Sequence, residues 1–161
     1  MKRLRRILAV ALIAAAVLGV HAVPAQAATH ISMSFTVTQT THGPAAYDMH
    51  IVVVVPMDRI DAEGYLWNGA RIEIRAYGDD PGTDPVIYGP YHYWGAPWST
   101  SLVATDYGVV LDLYWQEWPG SWMNEDHSFG NNEDEFYAKA TWVDADGGTL
   151  QTRSDTIIGL F

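Results

Sequence analysis

The sequence predicts an all-β fold, a single antiparallel β-sandwich of about eight strands. Short runs rich in Val, Ile, Thr, Tyr and Trp recur between clusters of Gly, Pro, Asp and Asn, which is typical of short strands joined by turns. Helical periodicity is nearly absent after residue 27. The run at 136–143, FYAKATWV, places Phe136, Ala138, Ala140 and Trp142 on one face, which is the period-2 pattern of a half-buried strand.

The predicted strands follow one another through short connections. In the first, 31–39, the apolar residues Ile31, Met33, Phe35 and Val37 are expected to point inward. In the third, 70–77, the inward set is Ile72, Ile74 and Ala76. The remaining predicted strands cover 47–56, 86–93, 101–105, 109–116, 136–143 and 149–160.

Residues 1–27 have the pattern of a cleaved export signal peptide. A basic start is followed by an apolar run and by the small-x-small sequence Ala25, Gln26, Ala27. The apolar run from Ile7 to Val20 is shorter than the roughly 20 residues that span a bilayer, so we expect no stable membrane insertion after cleavage. We therefore expect a secreted or extracytoplasmic protein whose residues 28–161 form the single β-sandwich domain.

The charge balance makes nucleic acid an unlikely class of partner. Four of the nine basic residues, Lys2, Arg3, Arg5 and Arg6, lie in the predicted signal, which leaves five against 19 acidic residues and a net charge of −14. Such a surface repels phosphate backbones. Because the chain has no cysteine, no disulfide can offset the repulsion, and bound cations would relieve it.

The positions of the acidic loops depend on the turn at Asp106, Tyr107 and Gly108, which resembles a hairpin loop with a terminal glycine. If each strand crosses the sandwich once, successive loops fall at alternate ends. Loops 40–46, 78–85, 106–108 and 144–148 would then share one end, and 57–69, 94–100 and 117–135 the other. If strands 101–116 instead run as one, the 79–84 loop joins 124–135 and the 144–148 loop moves to the far end.

Under the hairpin interpretation, carboxylates from three loops converge, and hard cations such as Ca²⁺ prefer six to eight oxygen ligands. The predicted calcium ligands are Asp79, Asp80, Asp84, Asp106, Asp144 and Asp146. Possible further ligands are Asp155, Asn131, Asn132, Glu133 and Asp134. The plainer interpretation is that Asp and Gly form good turns and keep the protein soluble.

Two segments resemble motifs of C2 domains. TDPVIY at 83–88 is similar to the family's Ser-Asp-Pro-Tyr-Val motif, and VDADGGTLQTRSDTIIG at 143–159 is similar to the later calcium loop. The resemblance implies a calcium-binding β-sandwich that engages lipid or protein. By this resemblance Asp84, Asp144, Asp146 and Asp155 match the family's ligand positions, with Asp79 or Asp80 as the earlier loop aspartate. The interval from Asp146 to Asp155 is longer than the family's, and its Asn-Pro-x-Trp-Asn segment is missing.

Aromatic residues are predicted to collect at the other end of the sandwich, beside carboxylates and amides. They either plug that end or form a ligand surface, since sugar faces stack on rings and hydroxyls take hydrogen bonds. A carbohydrate-binding module is therefore the alternative function. The candidate ligand-binding residues are Tyr65, Trp67, Trp94, Trp98, Trp118 and Trp122.

The sequence offers little for catalysis, because it has no cysteine and neither an HExxH nor a GxSxG motif. A small secreted hydrolase using carboxylates such as Asp112 and Glu117 is the less favoured alternative. We therefore expect an exported, non-catalytic binding module with a calcium-dependent acidic end, whose partner is a protein, a glycan or a lipid surface.

Overall fold

Two antiparallel sheets packed face to face form the molecule, which confirms the predicted β-sandwich. The computed structural model describes residues 28–40, 46–80, 82–95, 101–123 and 134–159, so the predicted signal peptide lies outside the described residues. Sheet A has the strand order β1-β2-β6-β5, and sheet B has the order β4-β3-β7-β8, with β9 also pairing with β7. The strands are β1 (Ser32–Gln39), β2 (Ala46–Val55), β3 (Arg71–Gly78), β4 (Val86–Trp94), β5 (Leu102–Thr105), β6 (Gly108–Pro119), β7 (Asp134–Val143), β8 (Thr149–Arg153) and β9 (Ile157–Gly159).

The core lies where the inward faces of the two sheets meet. Ile51, Val53 and Val55 of β2 are buried, whereas the residues between them are half-buried, as strand alternation requires. Across the interface, Trp142 of β7 is 1% exposed and is among the largest fully buried side chains. Each sheet thus covers the apolar face of the other, and this removal of apolar surface from water stabilises the fold.

The predicted hairpin at Asp106 and Tyr107 forms, with β5 and β6 pairing from Thr105↔Gly108 to Leu102↔Leu111. The Thr105 hydroxyl donates to the Gly108 carbonyl at 3.0 Å and accepts the Tyr107 N–H at 3.1 Å. Gly108 has φ +118°, and a Cβ there would lie 2.1 Å from the Val55 carbonyl oxygen. The position therefore requires glycine both for its backbone angle and for its close approach to β2.

The segment 57–69, which the sequence predicts to be a loop, contains the helix α1 (Arg59–Trp67). Asp58 is its N-cap, and its carboxylate accepts the Asp61 N–H at 2.9 Å. The helix buries Ala62, and Tyr65 packs edge-on against Trp142 with ring centroids 6.0 Å apart. Within the described residues no helix has the length and apolar character needed to cross a membrane.

The predicted strand 149–160 is two strands, β8 and β9, separated at Ser154–Thr156. The buried Ser154 fixes the backbone at this interruption by two hydrogen bonds to Ala138 of β7. Its hydroxyl accepts the Ala138 N–H at 3.0 Å, and its own N–H donates to the Ala138 carbonyl at 2.9 Å. Asp79, which follows β3, secures the same break by accepting from Arg153 Nη2 at 3.2 Å and from the Thr156 hydroxyl.

The expected alternation of loops between two ends fails at β5. This strand has four residues, whereas its partner β6 has 12, so β5 does not cross the sandwich. β4 ends beside the start of β3, with Trp94 paired to Arg71, and β5 also runs towards the α1 end of the molecule. Because β4 and β5 run towards the same end, every later loop is displaced to the end opposite the one expected.

The Asp79 contacts make part of the stability depend on pH. The Thr156 hydroxyl and then the Arg153 guanidinium lower the pKa of Asp79. A folded pKa below the unfolded value of about 3.9 means that the carboxylate stabilises the protein above roughly pH 4 and loses this effect as the pH falls through the folded pKa. We expect Asp79→Asn to lower Tm at pH 7, and the difference from wild type to shrink below pH 4. Thermal melts across pH check this.

Asp80→Asn is the matched control, because it removes a carboxylate from the same loop while Asp79 keeps its bonds to Arg153 and Thr156. An Asp79→Asn deficit of equal size at pH 3 and pH 7 contradicts the assignment.

Candidate functional site

The acidic loops predicted to converge lie at opposite ends of sheet B. β3 and β7 are antiparallel, with Arg71 paired to Val143 and Gly78 paired to Phe136. Asp79 follows Gly78 and lies opposite Glu135, whereas Asp144 follows Val143, so nine strand residues separate the two loops by about 30 Å at roughly 3.3 Å per residue. The prediction that both loops share one calcium ion is therefore wrong, although the hairpin on which it was based is present.

The aspartates after β3 are bound within the fold. Asp79 contacts Arg153 and Thr156, and the carboxylate of Asp84 accepts the Tyr137 hydroxyl at 2.7 Å. Burial, and then this bond to Asp84, raise the pKa of Tyr137 to about 12.

The other predicted ligands near this end lie in the same loop or beside it. Asp80 belongs to the same loop, and Asp134, at the adjacent start of β7, is 2% exposed. Asp155 is exposed in the β8–β9 connection, and its carbonyl accepts the Ser154 hydroxyl at 2.7 Å. Asn131, Asn132 and Glu133 lie outside the described residues.

The remaining predicted ligands, Asp106, Asp144 and Asp146, lie at the α1 end. Asp106 is 3.7 Å from Arg59 of α1. Asp144 and Asp146 share a tight turn in which the Asp144 N–H donates to the Gly148 carbonyl at 3.0 Å. Burial and then Asp146 raise the pKa of Asp144, whereas the contact with Asp144 lowers the pKa of Asp146. Among the described residues no group of three or more His, Asp or Glu side chains is arranged to hold a metal.

The aromatic residues predicted to share one end of the sandwich lie at both of its ends, as the acidic loops do. Tyr65 packs on Trp142, Trp67 is 73% exposed at the end of α1, and the Arg71 guanidinium lies 4.9 Å from the ring centre of Trp94. These residues lie at the α1 end, whereas Trp118 and Trp122 lie at the opposite end of β6. Trp98 falls outside the described residues. A single aromatic surface made from all of these residues is therefore wrong, for the same reason as the acidic loops.

Five rings form the most distinctive site, here called the aromatic cluster, and they come from β4, from β6 and from the 3-10 helix Gly120–Trp122 that follows β6. The closest pairs are Tyr88 with Trp118 at 4.5 Å, Tyr88 with Tyr91 at 4.8 Å and Trp118 with Trp122 at 5.1 Å between ring centroids. Trp118 meets both Tyr88 and Trp122 edge-on, whereas Tyr88 and Trp122 are stacked, and rings at these separations attract one another. The cluster consists of Tyr88, Tyr91, Trp115, Trp118 and Trp122.

A bulge in β4 brings Tyr88 and Tyr91 to one face. Residues three apart on a regular strand point to opposite faces, but the pairing shifts between Ile74↔Tyr91 and Ala76↔Tyr88. Gly89 lies in the bulge with φ +95°, and a Cβ there would lie 2.5 Å from the Ile74 carbonyl oxygen. Glycine is therefore required for both tyrosines to reach the same side of the sheet.

A second bulge, in β6, does the same for Trp115 and Trp118. The pairing shifts between Met49↔Trp115 and Tyr47↔Trp118, and Glu117 takes the unusual φ of +55°. Asp48, on the opposite strand, stabilises this backbone by accepting the Glu117 N–H at 3.0 Å and the Tyr114 hydroxyl at 2.8 Å. The bond to Asp48 also raises the pKa of Tyr114.

The cluster lines a recess between the two sheets that opens to solvent, and the empty space of about 460 Å³ in it includes solvent at its mouth. Its lining is almost entirely apolar, and the floor comes from both sheets. Met49 and Phe136, on the floor, are at most 4% exposed, whereas Trp122 is 50% exposed and Tyr91 37% exposed at the rim. The other lining residues are Phe35, Ile51, Ile74, Ala76, Ile87, Met123 and Ala138.

Among the described residues, those that line the pocket include no Asp, Glu, Lys, Arg or His. Burial, and then the hydroxyl of Tyr88, raise the pKa of Tyr91 to about 12. Both tryptophans of β6 and Trp122 are neutral donors through their indole N–H groups. The geometry therefore suits an uncharged, largely apolar ligand group, which would replace water over the rings.

Sequence reasoning missed Tyr88, Tyr91 and Trp115. A signal for the first pair was present in YGPY, because Gly-Pro disrupts a regular strand. The same spacing separates Trp115 from Trp118 in WQEW, but no residue type there indicates a bulge. That bulge has Glu117 at positive φ, which is uncommon for a non-glycine residue and cannot be recognised from the sequence.

Comparisons with known proteins identify no family. No protein-family model matches the chain. No curated protein matches it either. A solved structure, the X-ray structure of Northeast Structural Genomics Consortium target SoR45, matches with 9% identity and a TM-score of 0.38 over 82% of this chain and 86% of that one.

The bulge in β6 is testable through Asp48. Replacing it by Ala removes the acceptor of the Glu117 N–H and the Tyr114 hydroxyl, and hydrogen bonds to charged groups contribute about 1.5–3 kcal/mol. We expect Asp48→Ala to lower the free energy of unfolding by about 1–2 kcal/mol and to weaken the aromatic near-UV circular dichroism. The measurements are urea denaturation and near-UV spectra.

Asp112→Ala is the matched control. Asp112 also belongs to the outer face of sheet A, where it lies 2.8 Å from His50, but it does not contact the bulge. Its loss should cost less than about 1 kcal/mol, as for other exposed pairs. Equal losses and equal spectra for the two variants contradict the role given to Asp48.

Calcium binding stays a prediction, and Asp144 with Asp146 is its most favourable place because both carboxylates belong to one tight turn. We expect millimolar calcium to raise Tm relative to excess EDTA, and Asp144→Asn to remove the difference. Equal melting of the wild type in calcium and in EDTA contradicts the prediction. Asp84→Asn is the control, since Asp84 lies near Tyr137 at the far end of β7.

Proposed function

We propose that the protein is an exported, non-catalytic binding module whose ligand site is the aromatic pocket, and that the ligand presents an uncharged apolar group such as a ring or an acyl chain. The observation that carries this proposal is the five-ring cluster around an apolar pocket open between the sheets. Ligand sites are typically concave, mostly apolar and formed by few polar groups, which describes this pocket.

The rings also have a structural use, because they extend the core beyond the main apolar layer. Tyr47, Met49, Met123 and Phe136 are buried beneath them. A purely structural cluster would leave its rings covered, yet Trp122 is half exposed and packs through one face on Tyr88 at 5.8 Å. A ligand that covers the apolar rings at the rim removes their surface from water, which stabilises the complex by about 25 cal/mol per Å² of apolar surface buried.

Carbohydrate binding is the second candidate, favoured by the exposed faces of Trp122 and Tyr91 at the rim. Sugars stack on such rings, but their hydroxyls need hydrogen-bond partners. The floor offers apolar side chains instead, so a sugar would have to remain at the rim. The pocket itself therefore favours the apolar ligand.

The proposal predicts that the neutral dye N-phenylnaphthylamine binds wild-type protein with an increase in dye fluorescence, because the apolar pocket removes the dye from water. Trp122→Ala should weaken this binding about tenfold, which is equivalent to roughly 1.4 kcal/mol. Fluorescence titration measures both affinities.

Trp67→Ala is the matched control, because Trp67 is 73% exposed on α1, away from the pocket. It should leave the dye affinity unchanged. If wild type binds no dye but binds a neutral oligosaccharide through Trp122, the carbohydrate candidate replaces the first proposal. If Trp67→Ala reduces binding as much as Trp122→Ala, the pocket is not the site.

A further inference from the structure

The basic residues after position 27 are concentrated on one surface. They are Arg59, Arg71, Arg75, Lys139 and Arg153, and all except Arg59 belong to the strands of sheet B. On β3 they alternate with the buried Ile72 and Ile74, and on β7 Lys139 alternates with the buried Ala138 and Ala140. They therefore lie on the outer face of sheet B, opposite the core.

Three of these cations form one row across three neighbouring strands, here called the basic row. Arg75 of β3 is paired with Lys139 of β7, and Lys139 is paired with Arg153 of β8. Adjacent strands lie about 4.8 Å apart, so the row spans roughly 10 Å. Like charges that lie directly opposite each other destabilise a sheet. This acidic chain has five basic residues after position 27, yet it places three of them side by side in this row.

The fold neutralises only one end of the row. Arg153 lies 3.2 Å from the Asp79 carboxylate, and its guanidinium lies 3.8 Å from the ring centre of Tyr137. Within the described part of the chain, no ion pair forms at Arg75 or Lys139. Arg75 is exposed and Lys139 is half-buried, so both cations are open to an anionic ligand.

Towards the α1 end, the surface beside the basic row is uncharged or internally neutralised, whereas on its other side the Asp84 carboxylate accepts the hydroxyl of Tyr137. Glu73 is held by Arg71 at 2.8 Å and by His92 at 3.3 Å. Thr141 and Gln151, paired across β7 and β8, present neutral hydrogen-bonding groups next to the row. Trp94 is 52% exposed at the edge of the same sheet. The face thus combines cations, hydroxyl and amide partners, and a ring.

We propose that the outer face of sheet B binds an acidic oligosaccharide, with a uronate carboxylate held between Arg75 and Lys139. Guanidinium groups match carboxylates through paired hydrogen bonds, and Thr141 and Gln151 suit sugar hydroxyls. One carboxylate per sugar is a lower charge density than the one charge per about 1.7 Å of double-stranded DNA, and repulsion by the acidic remainder is screened beyond about 8 Å at physiological ionic strength. This proposal is independent of the ligand in the aromatic pocket.

The test uses oligogalacturonate, with a neutral galactose oligomer as the matched ligand, and calorimetric titration of the protein without its predicted signal. Wild type should bind oligogalacturonate alone, with an affinity that falls as salt rises. The double variant Arg75→Ser/Lys139→Ser should bind at least tenfold more weakly. Without ligand the double variant should still melt in one cooperative transition above the titration temperature, so that its weaker binding is not caused by unfolding.

Arg59→Ser is the control for total charge, since Arg59 lies on α1 and pairs with Glu63 and Asp106. It should bind oligogalacturonate like wild type. Binding unchanged in the double variant, or lost equally in Arg59→Ser, overturns the proposal. So does binding of a single-stranded oligonucleotide or anionic vesicles in place of oligogalacturonate.

Discussion

The alternation of side chains along a strand is the constraint on which the proposed site depends, because the site exists only where that alternation is interrupted. In both β4 and β6, two aromatic residues three positions apart reach the same face. On β4 the interruption requires glycine at position 89, and on β6 it requires the carboxylate of Asp48 across the ladder. Two local backbone irregularities thus convert the edge of an ordinary β-sandwich core into a pocket lined by rings.

The fold and the site differ in how far the sequence predicts them. Seven of the predicted strands match β1 to β7 within a few residues, since alternation and turn residues are local properties. Helix α1 was missed because its short segment, with only Ala62 buried, carries little apolar periodicity, although Asp58 is a good N-cap. The end at which each loop lies depends on how many of the preceding strands cross the sandwich. Because the short strand β5 does not cross it, Asp106, Asp144 and Trp118 lie at the ends opposite those predicted.

Acidic and basic residues lie on different parts of the molecule. Acidic residues occupy connections at both ends, as in the turn of Asp144 and Asp146, whereas the basic row lies on the outer face of sheet B. A chain that used its few cations only to offset its acids would pair each with a carboxylate, as Arg153 is paired with Asp79. Placing Arg75 opposite Lys139 instead costs stability, which a bound anion would recover.

The most direct test of the account is an NMR measurement of nuclear Overhauser effects from the Trp118 ring in the isotopically labelled protein. If the β6 bulge turns Trp118 inward, its ring protons should show strong effects to Tyr88, since the ring centroids are 4.5 Å apart. A regular strand would instead place Trp118 on the outer face with Tyr114 and Asp112. The absence of effects from Trp118 to Tyr88, together with effects to the side chain of Gln116, its neighbour on that outer face, would contradict the account.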